Sequence, residues 1–192
     1  GGGLVLNGRL YHGARFTAGE IGHMTLFPGA PVSWRTIEQN CSRSAVSEQL
    51  TRLIESNHPS EIVSIVNGDL SKVRSKAIAQ AYREGDPLTH QVVDQTADFL
   101  GQAIAGVVTL LSLPRVVLGG GLTEAIGQPW TARVEQAVRD FVFPPPKPDA
   151  HGHIPAERRV DVVETALREE AGIIGAAMLA RERLGLTEAA PD

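Results

Sequence analysis

The sequence predicts an α/β fold in which helices lie on a sheet. Three features lead there. A short hairpin signal opens the chain, a series of helical segments follows, and two β-prone runs, Arg115–Leu118 and Val160–Thr165, each precede a further helical segment. Strands interleaved with helical segments place helices against sheet faces.

Leu4–Leu6 and Arg9–Tyr11 flank Asn7-Gly8, and Asn-Gly between two β-prone runs is a strong hairpin signal. Gly1, Gly2 and Gly3 run straight into the first of these strands, which suits either a cloning remnant or a chain that starts in the middle of a fold. Gly13 to Met24 is a glycine-punctuated loop, and Leu26 to about Trp34 is irregular. Thr36 is placed to cap a helix that runs to about Ser56, with Ile37, Cys41, Ala45, Leu50, Leu53 and Ile54 on a rough apolar stripe. A short helix is expected over Pro59–Asn67 and another over Leu70–Tyr82, stopped at Gly85.

Asp86-Pro87 then supplies an N-cap and an N1 proline for the longest helix, Pro87 to about Leu113. Phe99, Ile104, Val107, Val108, Leu110 and Leu111 put apolar residues on nearly every side of its second half. That pattern predicts a buried central helix. Pro114 ends it, Arg115–Leu118 reads as a buried strand, and Gly119-Gly120-Gly121 closes the strand. A helical turn around Glu124, a helix from Pro129 to Phe143, a proline-rich extended stretch (Pro144–Pro148) and the strand Val160–Thr165 follow. The last helix, Glu169–Leu184, is rich in glycine and alanine, which predicts close packing against a neighbour, and the tail beyond Gly185 is expected to fray.

The totals exclude several function classes. The 192 residues suit one domain or one large lobe, and 42% hydrophobic with 21% charged content suits a globular core. The net charge of −4 and the lack of a basic run speak against a nucleic-acid footprint on this segment. Cys41 is the single cysteine, so there is neither an internal disulfide nor a multi-cysteine zinc cage, in keeping with a reducing, cytoplasmic setting. The longest strongly apolar run, Ala103–Leu113, falls short of the roughly 20 residues that span a bilayer.

Three stretches carry candidate chemistry. Gly19-Glu20-Ile21-Gly22-His23-Met24 sets a carboxylate and an imidazole three residues apart, each after a glycine. If the segment turns, both heads reach one side, as a polar-ligand loop or a metal ligand with its neighbour; otherwise they are a surface Glu and His satisfied locally. Gly119, Gly120 and Gly121 at the carboxyl end of a strand let a ligand approach the backbone, or simply make a tight turn. The spacing is neither a Walker loop nor a Rossmann fingerprint. Glu38, inside the first turn of a predicted helix, either suits the helix dipole or contacts a ligand. His151 and His153 have no third metal ligand nearby in sequence.

Taken together, several stretches in order resemble the ROK family (repressors, open reading frames and sugar kinases). They are Gly1–Gly13, Ala18–Met24, Arg83-Glu84-Gly85-Asp86-Pro87-Leu88, Leu113–Gly121 and Ala171–Ala177. The resemblance implies an actin-like ATPase (ribonuclease H-like) lobe, its sheet flanked by helices. It implies that the residues matching Glu20, His23 and Glu38 contact sugar hydroxyls, and that the turn matching Gly119–Gly121 lies against the adenosine of ATP. Carboxylates suit that task, because a buried hydrogen-bonding group left unpaired costs about 1–3 kcal/mol.

The sequence departs from the family pattern in two places. Family members usually hold zinc with the histidine matching His23 and three cysteines that precede the helix glutamate. Pro28–Arg35 fills that interval without a cysteine, so zinc is not expected. The Asp-x-Gly-Gly-Thr phosphate loop and catalytic aspartate of the family's N-terminal lobe are also absent from residues 1–192. The chain is therefore expected to be a single C-terminal lobe that binds sugar and adenosine but does not itself transfer phosphate. The parent is expected to be a hexose kinase of glucose-like specificity using ATP and Mg, or alternatively the sugar-sensing domain of a ROK-type transcriptional repressor. The resemblance further implies a cytoplasmic homodimer with a sugar ligand, no membrane, and nucleic acid as a partner only for the repressor.

Overall fold

A computed structural model of the chain, describing residues 1–155 and 159–185, has the expected α/β architecture. Strands β1 (Leu4–Leu6) and β2 (Arg9–Tyr11) pair antiparallel with Leu4 opposite Tyr11. Asn7 and Gly8 both take positive φ, as a two-residue hairpin of matching twist requires. The predicted helix over residues 36–56 is instead two helices, α1 (Ile37–Cys41) and α2 (Arg43–Glu55). Ser42 causes the break. Its backbone is extended and its hydroxyl accepts the Ala45 N–H at 3.1 Å, so it ends α1 and caps α2.

Helix α3 (Ile62–Ile65) is shorter than expected, and α4 (Ser75–Arg83) begins five residues later than expected. Asp69 accounts for the delay. Its carboxylate accepts the N–H and the hydroxyl of Ser71 and holds a separate 3-10 turn, Leu70–Lys72, before α4 can start. The long helix α5 (Pro87–Leu111) stops where Ser112 enters the left-handed region.

Asp86 ties the start of α5 to the rest of the molecule. The carboxylate is 2% exposed and accepts from Thr89 N–H, Thr89 Oγ1, Ser60 Oγ and Glu61 N–H. The Gly-Asp-Pro segment of the sequence is thus an architectural cap.

Strands β3 (Arg115–Leu118) and β4 (Asp161–Glu164) pair in parallel, Arg115 opposite Asp161. Helices α6 (Gly121–Ile126) and α7 (Gln128–Phe141) lie between them in sequence, and α8 (Ala171–Arg183) follows. The core gathers around α5, with Val46 and Leu50 of α2, Ile78 of α4 and Val134 and Val138 of α7 fully buried. Helices α5 and α7 approach so closely at Gly101 that an added methyl would sit 2.4 Å from Ala137 Cβ and 2.8 Å from the Val134 carbonyl.

Three packing expectations need correction. Strand β3 is not buried throughout: Leu118 faces the core while Val117 is 60% exposed, because the two-stranded β3–β4 sheet has one open face among the described residues. The second half of α5 is not enclosed on all sides, since Ile104 and Val108 are buried but Leu110 points into solvent. Helix α8 buries no side chain among the described residues, Ile173 and Met178 are exposed, and a methyl on Gly172 or Gly175 would meet nothing within 4 Å. The expected fraying concerns residues beyond Gly185, which lie outside the described residues.

Candidate functional site

Two clusters flank the α1–α2 junction. The first is built on Ile21-Gly22-His23, which forms a 3-10 turn, so the segment does bend. Gly19 makes the bend possible. Its φ is +89°, and a methyl on it would press within 2.8 Å of the Gly2 carbonyl oxygen and Gly3 Cα. The opening glycines therefore support the backbone that presents Glu20.

The same turn is tied to α1. The Met24 carbonyl accepts the Ile37 N–H at 3.1 Å, and Thr25 bridges Thr36 antiparallel. Thr36 caps α1 through a reciprocal pair with Gln39, which fixes the first helical turn and with it Glu38. The result is contact: a methyl on buried Gly22 would lie 3.3 Å from Glu38 Cβ and 3.5 Å from its Oε2. Glu38 therefore rests on the turn that lies between Glu20 and His23. Glu20, His23 and Glu38 are all exposed, and none makes a side-chain hydrogen bond or ion pair among the described residues. Three unpartnered polar heads with one buried glycine among them leave their hydrogen-bonding capacity free for a ligand.

Glu38 also lines an open cavity of about 420 Å³, bounded by Trp34, Ser42, Glu48 and Arg52. The Arg52 guanidinium lies 5.3 Å from the centre of the Trp34 ring. The sequence reading passed over Trp34, which sits in the irregular stretch where no periodic pattern marks it.

The second cluster is the glycine turn after β3, and each glycine there has its own reason. A methyl on Gly119 would come 3.2 Å from Thr165 Cγ2. Gly120 has φ +95°, a region open to glycine. A methyl on Gly121 would sit 2.9 Å from Ser75 Oγ and 3.0 Å from Arg43 Cδ. Arg43 and Ser75, the first residues of α2 and α4, were not singled out as site residues from sequence, because nothing in their spacing relates them to a turn far along the chain.

Other candidates resolve differently. Cys41 is buried on α1, and burial pushes its thiol up to about 12, so it is a core residue. His151 and His153 are exposed, and their backbone N–H groups donate to Asp149 Oδ1. Among the described residues no three His, Cys, Asp or Glu side chains come together as a metal cage. No described helix is long and apolar enough to cross a membrane.

Comparison with known proteins locates the likeness. A profile of the ROK family matches residues 1–183. The chain is 28% identical over 189 residues to a glucokinase of Thermotoga maritima, covering 96% of this chain and 56% of that relative. Among solved structures, a ROK family glucokinase from Streptomyces griseus in complex with glucose and AMPPNP superposes with a TM-score of 0.78 at 21% identity, over 94% of this chain and 56% of the other. A ROK family transcriptional regulator, homologous to the MLC protein of E. coli, superposes with a TM-score of 0.74 at 26% identity, over 93% of this chain and 42% of the other. The chain thus spans about half the length of these relatives, and its fold is that of their actin-like lobe.

Proposed function

The chain belongs to the ROK family, and from that premise we propose that it is the C-terminal lobe of a sugar kinase that phosphorylates a glucose-like hexose. Glu20, His23 and Glu38 hold the sugar hydroxyls, and Gly119, Gly120 and Gly121 receive the adenosine of ATP. The observation that supports the reading is the contact of Glu38 with Gly22, the glycine that stands between Glu20 and His23 on the 3-10 turn. Ionised carboxylates accept from hydroxyls, and the imidazole can donate or accept, so the trio reads a polyol by orientation. ATP and Mg are used by the intact protein, whose N-terminal lobe supplies the base and the phosphate loop. The clamp works without zinc, in the cytoplasm, in a protein that pairs as a homodimer.

The second reading is the sugar-sensing domain of a ROK-type repressor, favoured by the likeness to the transcriptional regulator. The two part on the intact protein: a kinase turns over Mg·ATP with sugar, whereas a repressor binds duplex DNA and responds to sugar.

Calorimetric titration of glucose, N-acetylmannosamine and N-acetylglucosamine into the chain tests the clamp. At least one sugar binds, and Glu20→Ala weakens it by about tenfold or more, the loss of one charge-assisted hydrogen bond. Equal affinity in the variant would remove Glu20 from the site. Phosphorylation of sugar by the chain alone would contradict placing the chemistry elsewhere.

A further inference from the structure

The chain reaches the glycine turn from an unexpected direction. Glu38 on α1 touches the Gly22 turn, and five residues later Arg43 at the start of α2 touches Gly121. The two clusters therefore meet across one helix junction, whose shape is set by the extended backbone of Ser42. On the far side, Ser75 at the start of α4 closes over the same glycine.

Arg43 is the charged group of this wall. Its stem packs on Gly121, with Cδ at 3.0 Å and Nη1 at 3.5 Å from the position a methyl would take. Its guanidinium makes no hydrogen bond or ion pair among the described residues, and neither does the Ser75 hydroxyl. Glu124, the nearest carboxylate in sequence on α6, makes no ion pair with it. Some surface arginines are ion-paired, as Arg133 is with Asp98 and Arg139 with Glu135. Others, such as Arg9, Arg15 and Arg74, are not paired among the described residues, so what marks Arg43 is its place on Gly121. A stem resting on Gly121, an unpaired fork of donors and a neighbouring hydroxyl, all against a turn without side chains, suit a phosphate held beside the backbone.

We propose that Arg43, with Ser75 beside it, binds the phosphate of an adenine nucleotide seated on the Gly119–Gly121 turn. The proposal rests on the reading that this turn receives adenosine. It assigns the chain a nucleotide-charge residue in addition to its sugar clamp. It also predicts that this lobe distinguishes a nucleotide from its nucleoside without the N-terminal phosphate loop.

The test is titration of adenosine, AMP and inorganic phosphate into the chain and into Arg43→Ala and Arg43→Lys. AMP binds the unaltered chain about tenfold more tightly than adenosine, and Arg43→Ala abolishes that difference while adenosine still binds, which also shows that the variant is folded. Arg43→Lys keeps part of the difference, because the charge remains but the planar fork is lost. AMP affinity unaffected by Arg43→Ala, with adenosine still bound, overturns the proposal and leaves the adenosine reading standing. Inorganic phosphate bound as tightly as AMP overturns it in favour of a free-anion site. Binding of neither adenosine nor AMP removes the adenosine reading and the proposal together.

Discussion

Asp86→Ala should destabilise the chain by about 3 kcal/mol. The side chain is 2% exposed and accepts four hydrogen bonds from Thr89, Ser60 and Glu61. Loss of the N-cap of α5 accounts for about 1 kcal/mol. Stranding the fully buried Thr89 hydroxyl and its neighbours without an acceptor adds about 2 kcal/mol. For a chain of this length the sum lowers the melting temperature by about 6–12 °C. Urea unfolding followed by circular dichroism measures it at neutral pH.

Acid supplies a second readout. Burial pushes the Asp86 carboxyl up, but the hydrogen bonds from Thr89, Glu61 and Ser60 outweigh it and hold the group below its ordinary value of 3.8. A carboxyl depressed in the folded state contributes stability that is complete above that ordinary value. The contribution is lost as pH falls through the lower folded value. The stability gap between the unaltered chain and Asp86→Asn should therefore narrow below about pH 4. A loss under about 1 kcal/mol in Asp86→Ala, or a gap independent of pH, would refute the assignment of Asp86 as a buried ionised cap.

Gly101→Ala and Gly106→Ala make a matched pair within α5. The first drives a methyl into Ala137 and the Val134 carbonyl and should cost about 1–2 kcal/mol, while the second meets nothing within 4 Å and should stabilise by up to about 1 kcal/mol, both read by urea unfolding. Cys41, buried with its thiol pushed up to about 12, should resist iodoacetamide at pH 8 in the folded chain and react rapidly in urea, as mass spectrometry will show. Glu38→Ala should weaken sugar binding by about tenfold or more with little effect on stability, since Glu38 is exposed and its side chain makes no hydrogen bond.

What the sequence disclosed follows from the range of its signals. Local chemistry was legible: Asn7-Gly8 as a hairpin turn, Thr36 as a helix cap, and Asp86-Pro87 as a helix start. Competing local bonds were not, as Ser42 and Asp69 show, because a short polar side chain inside a helical run can either face solvent or bond the backbone and begin a new cap, and the pattern of apolar residues does not say which. The site divided the same way. Glu20 and His23 stand out by their flanking glycines and Glu38 by its place in a first helical turn. Their shared role is what the family resemblance implies, and the fold packs Glu38 on Gly22 between the other two. Arg43 and Ser75 stand 78 and 46 positions before Gly121, and nothing in sequence joins them to it. The open face at Val117 and the uncovered α8 were misread because apolar content marks a surface to be covered without saying by what.

Two-dimensional NMR of the ¹⁵N-labelled chain titrated with glucose tests the central claim most directly. The account predicts saturable shifts concentrated at the amides of Gly19–Met24 and at Glu38, reduced in Glu20→Ala. Shifts confined to other parts of the chain, or none at all, would contradict a glucose clamp built on Glu20, His23 and Glu38.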